Sequence, residues 1–246
     1  MHSAKLIRFT ELIGRFVIEN DKQLPLINKH KHPLGIIALW YITETPEKLQ
    51  SMLTIDEFVP FKTERRNTHW LAARIALQEA VGNSSSKIIK NHLGKPFLAD
   101  EDGHISITHS GNMSAAIFNT TNSCGIDLEL FDERILHIAH KFTTDEEAAM
   151  FPLDSYCACL CLIWSAKESV FKFGSIHDVE FKTQIQLTSI DFENQTINFC
   201  FKRVIPEQNL KVFFRVYETI NNEVLETPLL IDKEMKNNER YILTWI

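Results

Sequence analysis

The sequence predicts an α+β fold made of two similar α/β lobes. Strand-like and helix-like segments follow one another in both halves of the chain, and no low-complexity linker separates the halves. A short internal echo supports the division, because Trp70-Leu-Ala-Ala-Arg74 resembles Trp164-Ser-Ala-Lys-Glu168. Because Trp-x-Ala recurs by chance, this similarity alone is weak evidence for two lobes. The length of 246 residues is compatible with it, since it permits one large domain or two small ones.

Local signals justify the elements of the first half. Thr45 followed by Pro46 is typical of a helix start, with an N-cap and then proline at the first helical position. Gly82-Asn83 is typical of a helix end. The predicted elements are a buried strand over Gly35–Ile42, helices from Pro46 to about Leu53 and over Glu64–Val81, a loop over Asn83–Ser86, and a hairpin of His104–His109 with Ser114–Asn119.

The second half has the same kind of organisation. Thr144 and Glu147 have the spacing of a capping box. A long helix is predicted from about Ser155 to Phe173, with Gly174 ending it. Predicted strands cover Cys124–Leu130, Glu180–Ile190, Thr196–Lys202, Lys211–Thr219, Leu229–Ile231 and Tyr241–Trp245.

Charge and composition exclude several classes of protein. The 26 Lys+Arg and 32 Asp+Glu residues give a net charge of −6, which argues against non-specific nucleic-acid binding. With 44% hydrophobic and 24% charged residues, the composition is that of a globular protein rather than a disordered one. No apolar run approaches the ~18 residues of a membrane span, and residues 1–16 lack the apolar core of a signal peptide. We therefore expect a cytoplasmic protein without membrane association.

The five cysteines are more consistent with reduced thiols than with a metal site. Cys157, Cys159 and Cys161 are clustered within the predicted long helix. At this spacing, helical side chains do not converge on one tetrahedral centre. We expect these thiols to be buried and unbonded.

Two segments carry residues suited to catalysis. Asp127 and Glu129 are two apart on a predicted strand, so their side chains share a face. Trp164, Glu168 and Lys172 follow four-residue spacing along one stripe of the long helix. If strand and helix converge, three carboxylates would form a hard oxygen site suited to Mg²⁺. The alternative is an amphipathic strand with a solvent face and an ordinary helical ion pair between Glu168 and Lys172.

The wider pattern resembles the signature of the 4′-phosphopantetheinyl transferase superfamily. Gly125–Glu129 matches its G-[IV]-D-[IVL]-E strand, and Trp164–Lys172 matches its W-[ST]-x-K-E-[AS]-x-x-K helix. Upstream, Gly94-Lys95-Pro96 and Thr108-His109-Ser110 are similar to two further elements, and the helix around Arg65 to a third. The resemblance covers roughly residues 64–190. The chain length is similar to that of the surfactin-synthetase-activating type, whose two lobes form a monomer with a pseudo-twofold axis.

The resemblance implies transfer of the phosphopantetheine arm of coenzyme A (CoA) to a serine of an acyl or peptidyl carrier protein, with release of 3′,5′-ADP. It implies that Asp127, Glu129 and Glu168 ligate Mg²⁺, for which Mn²⁺ is a possible substitute. It implies that Glu168 accepts the serine proton and that Lys172 neutralises phosphate charge. Trp164 is interpreted as a packing residue. Residues 1–122 would form the nucleotide-binding lobe and residues 123–246 the lobe that carries the metal ligands.

The resemblance further implies that Arg65, Lys95, Thr108 and His109 contact CoA, together with Lys172. Thr108 occupies a position where the family usually has serine. Arg66 is an alternative to Arg65 for the 3′-phosphate, and Arg74 is expected nearer the fold than the ligand. For Lys95 the alternative is a plain surface lysine, and for His109 it is a structural histidine.

Some questions stay open at the level of sequence. Lys29-His30-Lys31-His32 is a second basic candidate, with a solvated loop as the favoured interpretation. Two other functions remain alternatives: a catalytically weak module that binds CoA or a carrier, and an unrelated Mg²⁺-dependent nucleotide hydrolase. The latter is disfavoured because the chain has no Gly-Lys-Ser/Thr phosphate loop. The sequence does not specify which carrier is served.

Overall fold

Two antiparallel sheets, each covered by one long helix, form the framework of the protein. The structure is a computed structural model that describes residues 26–54, 60–82, 86–204, 206–220, 223–229 and 238–246. Over these residues the architecture is mixed α/β, with six α-helices.

The first part of the chain builds one of the two sheets. Its elements are β1 (Leu26–His32), β2 (Gly35–Tyr41), α1 (Pro46–Met52), α2 (Glu64–Val81), β3 (Ile88–Lys90), β4 (Pro96–Leu98), β5 (His104–Ser110) and β6 (Met113–Asn119). The first sheet has the antiparallel order β1-β2-β6-β5. Strands β3 and β4 form a separate hairpin.

The rest of the chain builds the second sheet. Its elements are β7 (Ile126–Leu130), α3 (Ile135–Ile138), α4 (Asp145–Ala148), α5 (Tyr156–Gly174), α6 (Phe181–Gln184), β8 (Ile185–Asp191), β9 (Thr196–Phe201), β10 (Gln208–Ile220), β11 (Glu223–Thr227) and β12 (Arg240–Trp245). The antiparallel order is β7-β12-β10-β9-β8, with β11 also paired to β10. As a result β5 and β7 are edge strands of different sheets.

The alternation of side chains along the strands divides them among three apolar clusters. Ala38 packs in one cluster with Ile75 of α2, whereas its neighbour Ile37 belongs to a second cluster that includes Leu243 of β12. Ile242, next to Leu243, faces a third cluster built around α5. The middle cluster therefore lies between the two sheets, and a long helix covers the outer face of each sheet.

Local chemistry sets the helix ends as the sequence predicts. Helix α1 begins after Thr45, whose hydroxyl accepts the amide N–H of Lys48, and Pro46 is its first residue. Helix α2 ends at Gly82 in the left-handed conformation with φ of 96°. Its N-cap, Thr63, was not predicted. The capping box of Thr144 and Glu147 is present at α4. The predicted strand at β2, the β5–β6 hairpin and the long helix α5 are also confirmed.

The predicted loop at Lys29–His32 is wrong, because this segment lies in β1 and pairs with β2. The two lysines are exposed, while the histidines are half-buried. His32 packs edge-on against Phe213 and Trp245 of the second sheet, and this contact favours a strand here.

Two other predicted boundaries differ from the structure. The predicted strand Glu180–Ile190 begins instead with the helical turn α6 and becomes a strand only at Ile185. Phe181 packs its ring against Trp164, a tertiary contact that overrides the strand propensity of this segment. At the end of α5, the left-handed residue is Ser175 rather than Gly174.

Some predictions fall on parts of the chain that the structure leaves undescribed. Residues 1–16, most of the loop Asn83–Ser86, and Leu230 and Ile231 lie outside the described residues. Leu229 is not part of a strand, whereas β11 was not predicted. Within the described ranges, no helix has the length and apolar character needed to cross a membrane.

Candidate active site

Strand β7 and helix α5 come together at Gly125, directly before the strand. A Cβ atom at this position would lie 2.1 Å from the backbone oxygen of Ser169 and 2.8 Å from the backbone nitrogen of Phe173. Only glycine permits such a close approach of two backbones. The glycine of the strand motif is therefore a packing requirement that holds the following side chains against α5.

Asp127 and Lys172 form an ion pair between the strand and the helix. Asp127 is 4% exposed, and Lys172 Nζ lies 2.6 Å from its Oδ1 atom and 3.2 Å from the carbonyl oxygen of Ile126. The other carboxylate oxygen, Oδ2, is buried without a hydrogen-bond partner among the described residues. Asp127 is thus not on a solvent face, and the ion pair of Lys172 joins two elements instead of running along the helix to Glu168.

Glu129 and Glu168 are partly buried carboxylates near Asp127. The indole N–H of Trp164 donates to Glu129 Oε1 at 2.8 Å, and the Ser110 hydroxyl donates to Oε2 at 3.4 Å. Burial and the charge of Asp127 raise the pKa of Glu129 to about 7, and the same two causes raise the pKa of Glu168. Such shifts arise where carboxylates lack sufficient positive charge, so a bound cation is favourable here.

The carboxylate side chains fit a divalent ion by their chemistry. Carboxylate oxygens are the ligands that Mg²⁺ prefers, and Asp127 Oδ2 is a buried acceptor that a cation can satisfy. In the part of the chain that the structure describes, no three His, Cys, Asp or Glu side chains are already gathered into a metal cage. The site is therefore a set of suitable ligands with Lys172 on one oxygen of Asp127, rather than a formed metal centre.

Comparison with known families relates this arrangement to one superfamily. Residues 123–225 match the family model described as the 4′-phosphopantetheinyl transferase superfamily. This part of the chain is similar to that superfamily, and the matched residues make up less than half of the chain. The matched segment contains all of β7 and α5, and therefore the carboxylates and Lys172. No curated protein matches the chain.

The matched segment does not extend to the upstream residues that the sequence pattern assigns to CoA. Phosphopantetheinyl transferases use CoA as a substrate and act on carrier proteins, but the contacts made by Arg65, Lys95, Thr108 and His109 stay predictions. The structure shows where each of these side chains lies.

Thr108 is buried and its hydroxyl is engaged with protein groups. It accepts the amide N–H of Leu128 at 3.3 Å and donates to Asp127 Oδ1 at 3.2 Å. The described contacts of Thr108 are therefore with β7, and its expected contact with a CoA phosphate remains a prediction.

His109 lies beside Lys172 and forms a stacked pair with His69, with 4.5 Å between the ring centroids. His109 is an exposed residue by its surface area, although neighbouring groups remove much of its solvation. Burial, then the neighbouring His69 and Lys172, lower the pKa of His109 to about 4, so the ring is neutral near pH 7. A neutral imidazole can donate one hydrogen bond to a phosphate oxygen.

His69 is a residue that the sequence patterns missed. Its Nε2 atom lies 2.8 Å from the carbonyl oxygen of Gly111, and burial lowers its pKa, with a smaller contribution from Arg65. Arg65 is four residues earlier on the same face of α2. Arg66 instead has its guanidinium 4.8 Å from the centre of the Phe61 ring. The helical spacing from Arg65 was the signal that could have identified His69.

Lys95 lies in a different part of the protein, at the C-terminal end of α5. Its Nζ atom donates to Ser123 Oγ at 2.8 Å and to the carbonyl oxygen of Phe173 at 3.3 Å. These contacts line an open cleft of about 390 Å³ that also includes His104 and Gly174. Burial lowers the pKa of Lys95. The half-buried lysine is not a plain surface residue.

Trp164 packs against other side chains as predicted, and it also donates a hydrogen bond to Glu129, which was not predicted. Its ring lies 5.1 Å from that of Phe142 and 5.6 Å from that of Phe181. The hydrogen bond to Glu129 adds a polar function. The indication in the sequence was general: a half-buried indole N–H usually has an acceptor.

The remaining basic and thiol candidates lie in the framework of the fold. The Arg74 guanidinium carbon is 3.3 Å from the centre of the Trp70 ring, which places it nearer the fold, as expected. Cys159 and Cys161 are buried, Cys157 is half-buried, and all three are unbonded. Burial raises the pKa of Cys159 and Cys161 to about 12, so these thiols are poor nucleophiles.

Proposed function

We propose that this transferase moves the 4′-phosphopantetheine arm of CoA to a serine of an apo acyl or peptidyl carrier protein and releases 3′,5′-ADP. The observation that carries the proposal is that Asp127, paired with Lys172 where β7 meets α5, lies near enough to Glu129 and Glu168 for its charge to raise the pKa of both. The match of residues 123–225 to the superfamily model supports the reaction class, and the side-chain roles below are part of the proposal.

The three carboxylates would hold Mg²⁺ or Mn²⁺. When bound, the ion neutralises charge on the CoA pyrophosphate. Asp127 offers its buried Oδ2 atom, while Trp164 and Ser110 restrain Glu129 through its two oxygens. The protein thus supplies ligands whose orientation is set by hydrogen bonds before substrate arrives.

Glu168 takes the proton of the carrier serine, directly or through a water. A glutamate carboxylate placed within reach of the serine hydroxyl can act as such a base. The serine oxygen bonds to the β-phosphorus of CoA, the bond from that phosphorus to the bridging oxygen breaks, and 3′,5′-ADP leaves with the electron pair. Lys172, which lies 2.6 Å from Asp127, neutralises charge on the bridging or leaving phosphate.

The nucleotide is proposed to bind along the first part of the chain, with His109 beside Lys172 and with Arg65 reaching the 3′-phosphate. Arg65 is favoured over Arg66 because Arg66 lies against Phe61. Lys95 and its cleft would contact another part of CoA.

We infer that residues 1–122 and 123–246 are two lobes with a pseudo-twofold relation, as in the surfactin-synthetase-activating type, and that the protein is a cytoplasmic monomer. The paired sheets, each with one long helix, support two lobes. Five free thiols suit a reducing compartment. Light scattering during gel filtration tests the monomer.

Mass spectrometry of carrier proteins tests the function. The purified protein with CoA, Mg²⁺ and a panel of apo acyl and peptidyl carriers should raise the mass of at least one carrier by one phosphopantetheine. Asp127→Ala and Glu168→Ala should slow transfer by roughly a hundredfold or more, whereas Glu193→Ala, in an exposed turn, should not.

Other outcomes would favour the alternatives. Binding of CoA without transfer to any carrier indicates the catalytically weak module. Release of 3′,5′-ADP from CoA without a carrier indicates a hydrolase.

A further inference from the structure

Three hydroxyl side chains connect the edge strands of the two sheets. Ser106 Oγ accepts the amide N–H of Ile126 at 3.1 Å, and further along β5 the hydroxyls of Thr108 and Ser110 accept the amides of Leu128 and Leu130 at 3.3 and 2.9 Å. Each step advances two residues on both strands, so β5 and β7 run parallel. We call these three contacts the hydroxyl ladder.

The direction of the β7 backbone explains why the ladder is needed. The amides of Gly125 and Phe131 bond to carbonyl oxygens of Ile246 and Arg240, at either end of β12. Amides alternate in direction along a strand, so those of the even-numbered residues of β7 point away from β12. An unsatisfied buried amide costs about 1–3 kcal/mol, and the hydroxyls of β5 satisfy these amides.

Two of the three hydroxyls also bind a carboxylate. Thr108 donates to Asp127 Oδ1 at 3.2 Å, and Ser110 donates to Glu129 Oε2 at 3.4 Å. A hydroxyl has one proton and two lone pairs, so it can accept the amide and donate to the carboxylate at the same time. In both cases the carboxylate belongs to the residue just before the amide. At Ser106 the corresponding residue is Gly125, which has no side chain.

We propose that Thr108 and Ser110 are positioning residues that orient Asp127 and Glu129 for the metal ion, so that the first sheet presets a site whose ligands all lie in the second part of the chain. The proposal rests on the metal-binding role assigned above. With Oδ1 of Asp127 held by Thr108 and Lys172, Oδ2 is the oxygen left for a ligand. With Glu129 held at both oxygens, its rotation is restricted.

Ser106 provides the matched control, because it has the same backbone role without a carboxylate. Dissociation constants for Mn²⁺ can be measured by electron paramagnetic resonance on the protein alone, without CoA or carrier. Ser110→Ala and Thr108→Val should weaken Mn²⁺ binding by about tenfold or more, while Ser106→Ala should stay within about twofold of the wild type. All three should lower the melting temperature by similar amounts, since each leaves one amide unsatisfied.

Conservative variants separate orientation from folding. Thr108→Ser and Ser110→Thr retain the hydroxyl and should retain Mn²⁺ affinity. If Ser106→Ala, Thr108→Val and Ser110→Ala lower the Mn²⁺ affinity equally, in proportion to their loss of melting temperature, the ladder is structural only. A Thr108→Val variant with normal Mn²⁺ affinity but a raised KM for CoA would assign Thr108 to the phosphate instead.

A wild type that binds no Mn²⁺ overturns this inference directly. If Mn²⁺ binding follows the expected pattern but no carrier is modified, the positioning inference stands and the proposed transfer fails.

Discussion

The two long helices perform the same architectural task with different interiors. Every fully buried side chain of α2 is apolar or alanine. Helix α5 buries Ser165, Lys167 and Ser169 as well. The Lys167 ammonium is fully buried, 3.0 Å from each Glu147 oxygen, and it also donates to the carbonyl oxygens of Phe142 and Phe181.

This difference shows where the molecule needs a defined rotation of a helix. Apolar packing tolerates small rotations, but a buried hydrogen-bonded group has a partner at one place only. Ser165 and Ser169 both contact the Thr244 hydroxyl of β12, at 3.0 and 2.7 Å. Such contacts hold α5 in the rotation that directs Glu168 and Lys172 at β7.

The largest expected effect tests the buried ion pair. Lys167→Met leaves Glu147 charged and buried without its cation, and this should lower the free energy of unfolding by about 3–5 kcal/mol. Arg74→Met on α2 removes a half-exposed guanidinium from the Trp70 ring and should cost about 1 kcal/mol. Urea unfolding measures both.

A double variant controls for the chemistry of that pair. Lys167→Met with Glu147→Gln should recover part of the loss, because no charge remains buried and the side-chain amide oxygen can still accept the Leu187 N–H. A loss below about 1 kcal/mol for Lys167→Met alone would remove the distinction between the two helices.

Apolar truncation should affect the two helices equally. Leu71 of α2 and Leu160 of α5 are both fully buried. Leu71→Ala and Leu160→Ala should each cost about 2–4 kcal/mol through lost burial and a cavity. The comparison would need revision if urea unfolding found one of these losses several times the other.

Replacing a buried serine by alanine should affect stability differently in α5 and in the first sheet. Ser169 donates to the Thr244 carbonyl oxygen at 3.0 Å, so Ser169→Ala should lower stability by about 1–2 kcal/mol. Ser114 on β6 is fully buried, and its hydroxyl oxygen has no partner among the described residues. Ser114→Ala should therefore be neutral or stabilising by up to about 1 kcal/mol. Thermal unfolding of both variants decides, and equal losses would contradict this prediction.

The smallest effect is the pH dependence at His109. Its folded pKa of about 4 lies below the usual 6.5, so the unfolded chain binds the proton more readily. Its contribution to stability is complete above about pH 6.5 and is lost as the pH falls toward 4. Because His109 is an exposed residue, solvent screens its charge, and the change in unfolding free energy between pH 7 and 5.5 should be below about 1 kcal/mol.

A matched pair of variants measures that slope. His109→Asn should flatten the acid limb of a plot of unfolding free energy against pH, and His92→Asn, at an exposed position, should not. Identical slopes for the two variants would exclude His109 as a source of the acid sensitivity.

Sequence patterns were successful wherever the determining contacts are local. The Thr45 cap, the capping box at α4 and the left-handed Gly82 all depend on residues within one helical turn. The shared face of Asp127 and Glu129 follows from the two-residue period of a strand. The turn at Phe181 was missed because its cause, packing against Trp164, lies 17 positions away along the chain (181 − 164).

The sequence by itself determined which residue types lie on which face, and thus the carboxylates of β7 and the stripe of α5. Only the tertiary structure decided which groups meet: Lys172 with Asp127, Trp164 with Glu129, and the hydroxyls of β5 with the amides of β7. The physical reason is range. Periodicity and capping are set by neighbours, whereas the register of two edge strands depends on packing between sheets that the chain joins only through distant segments.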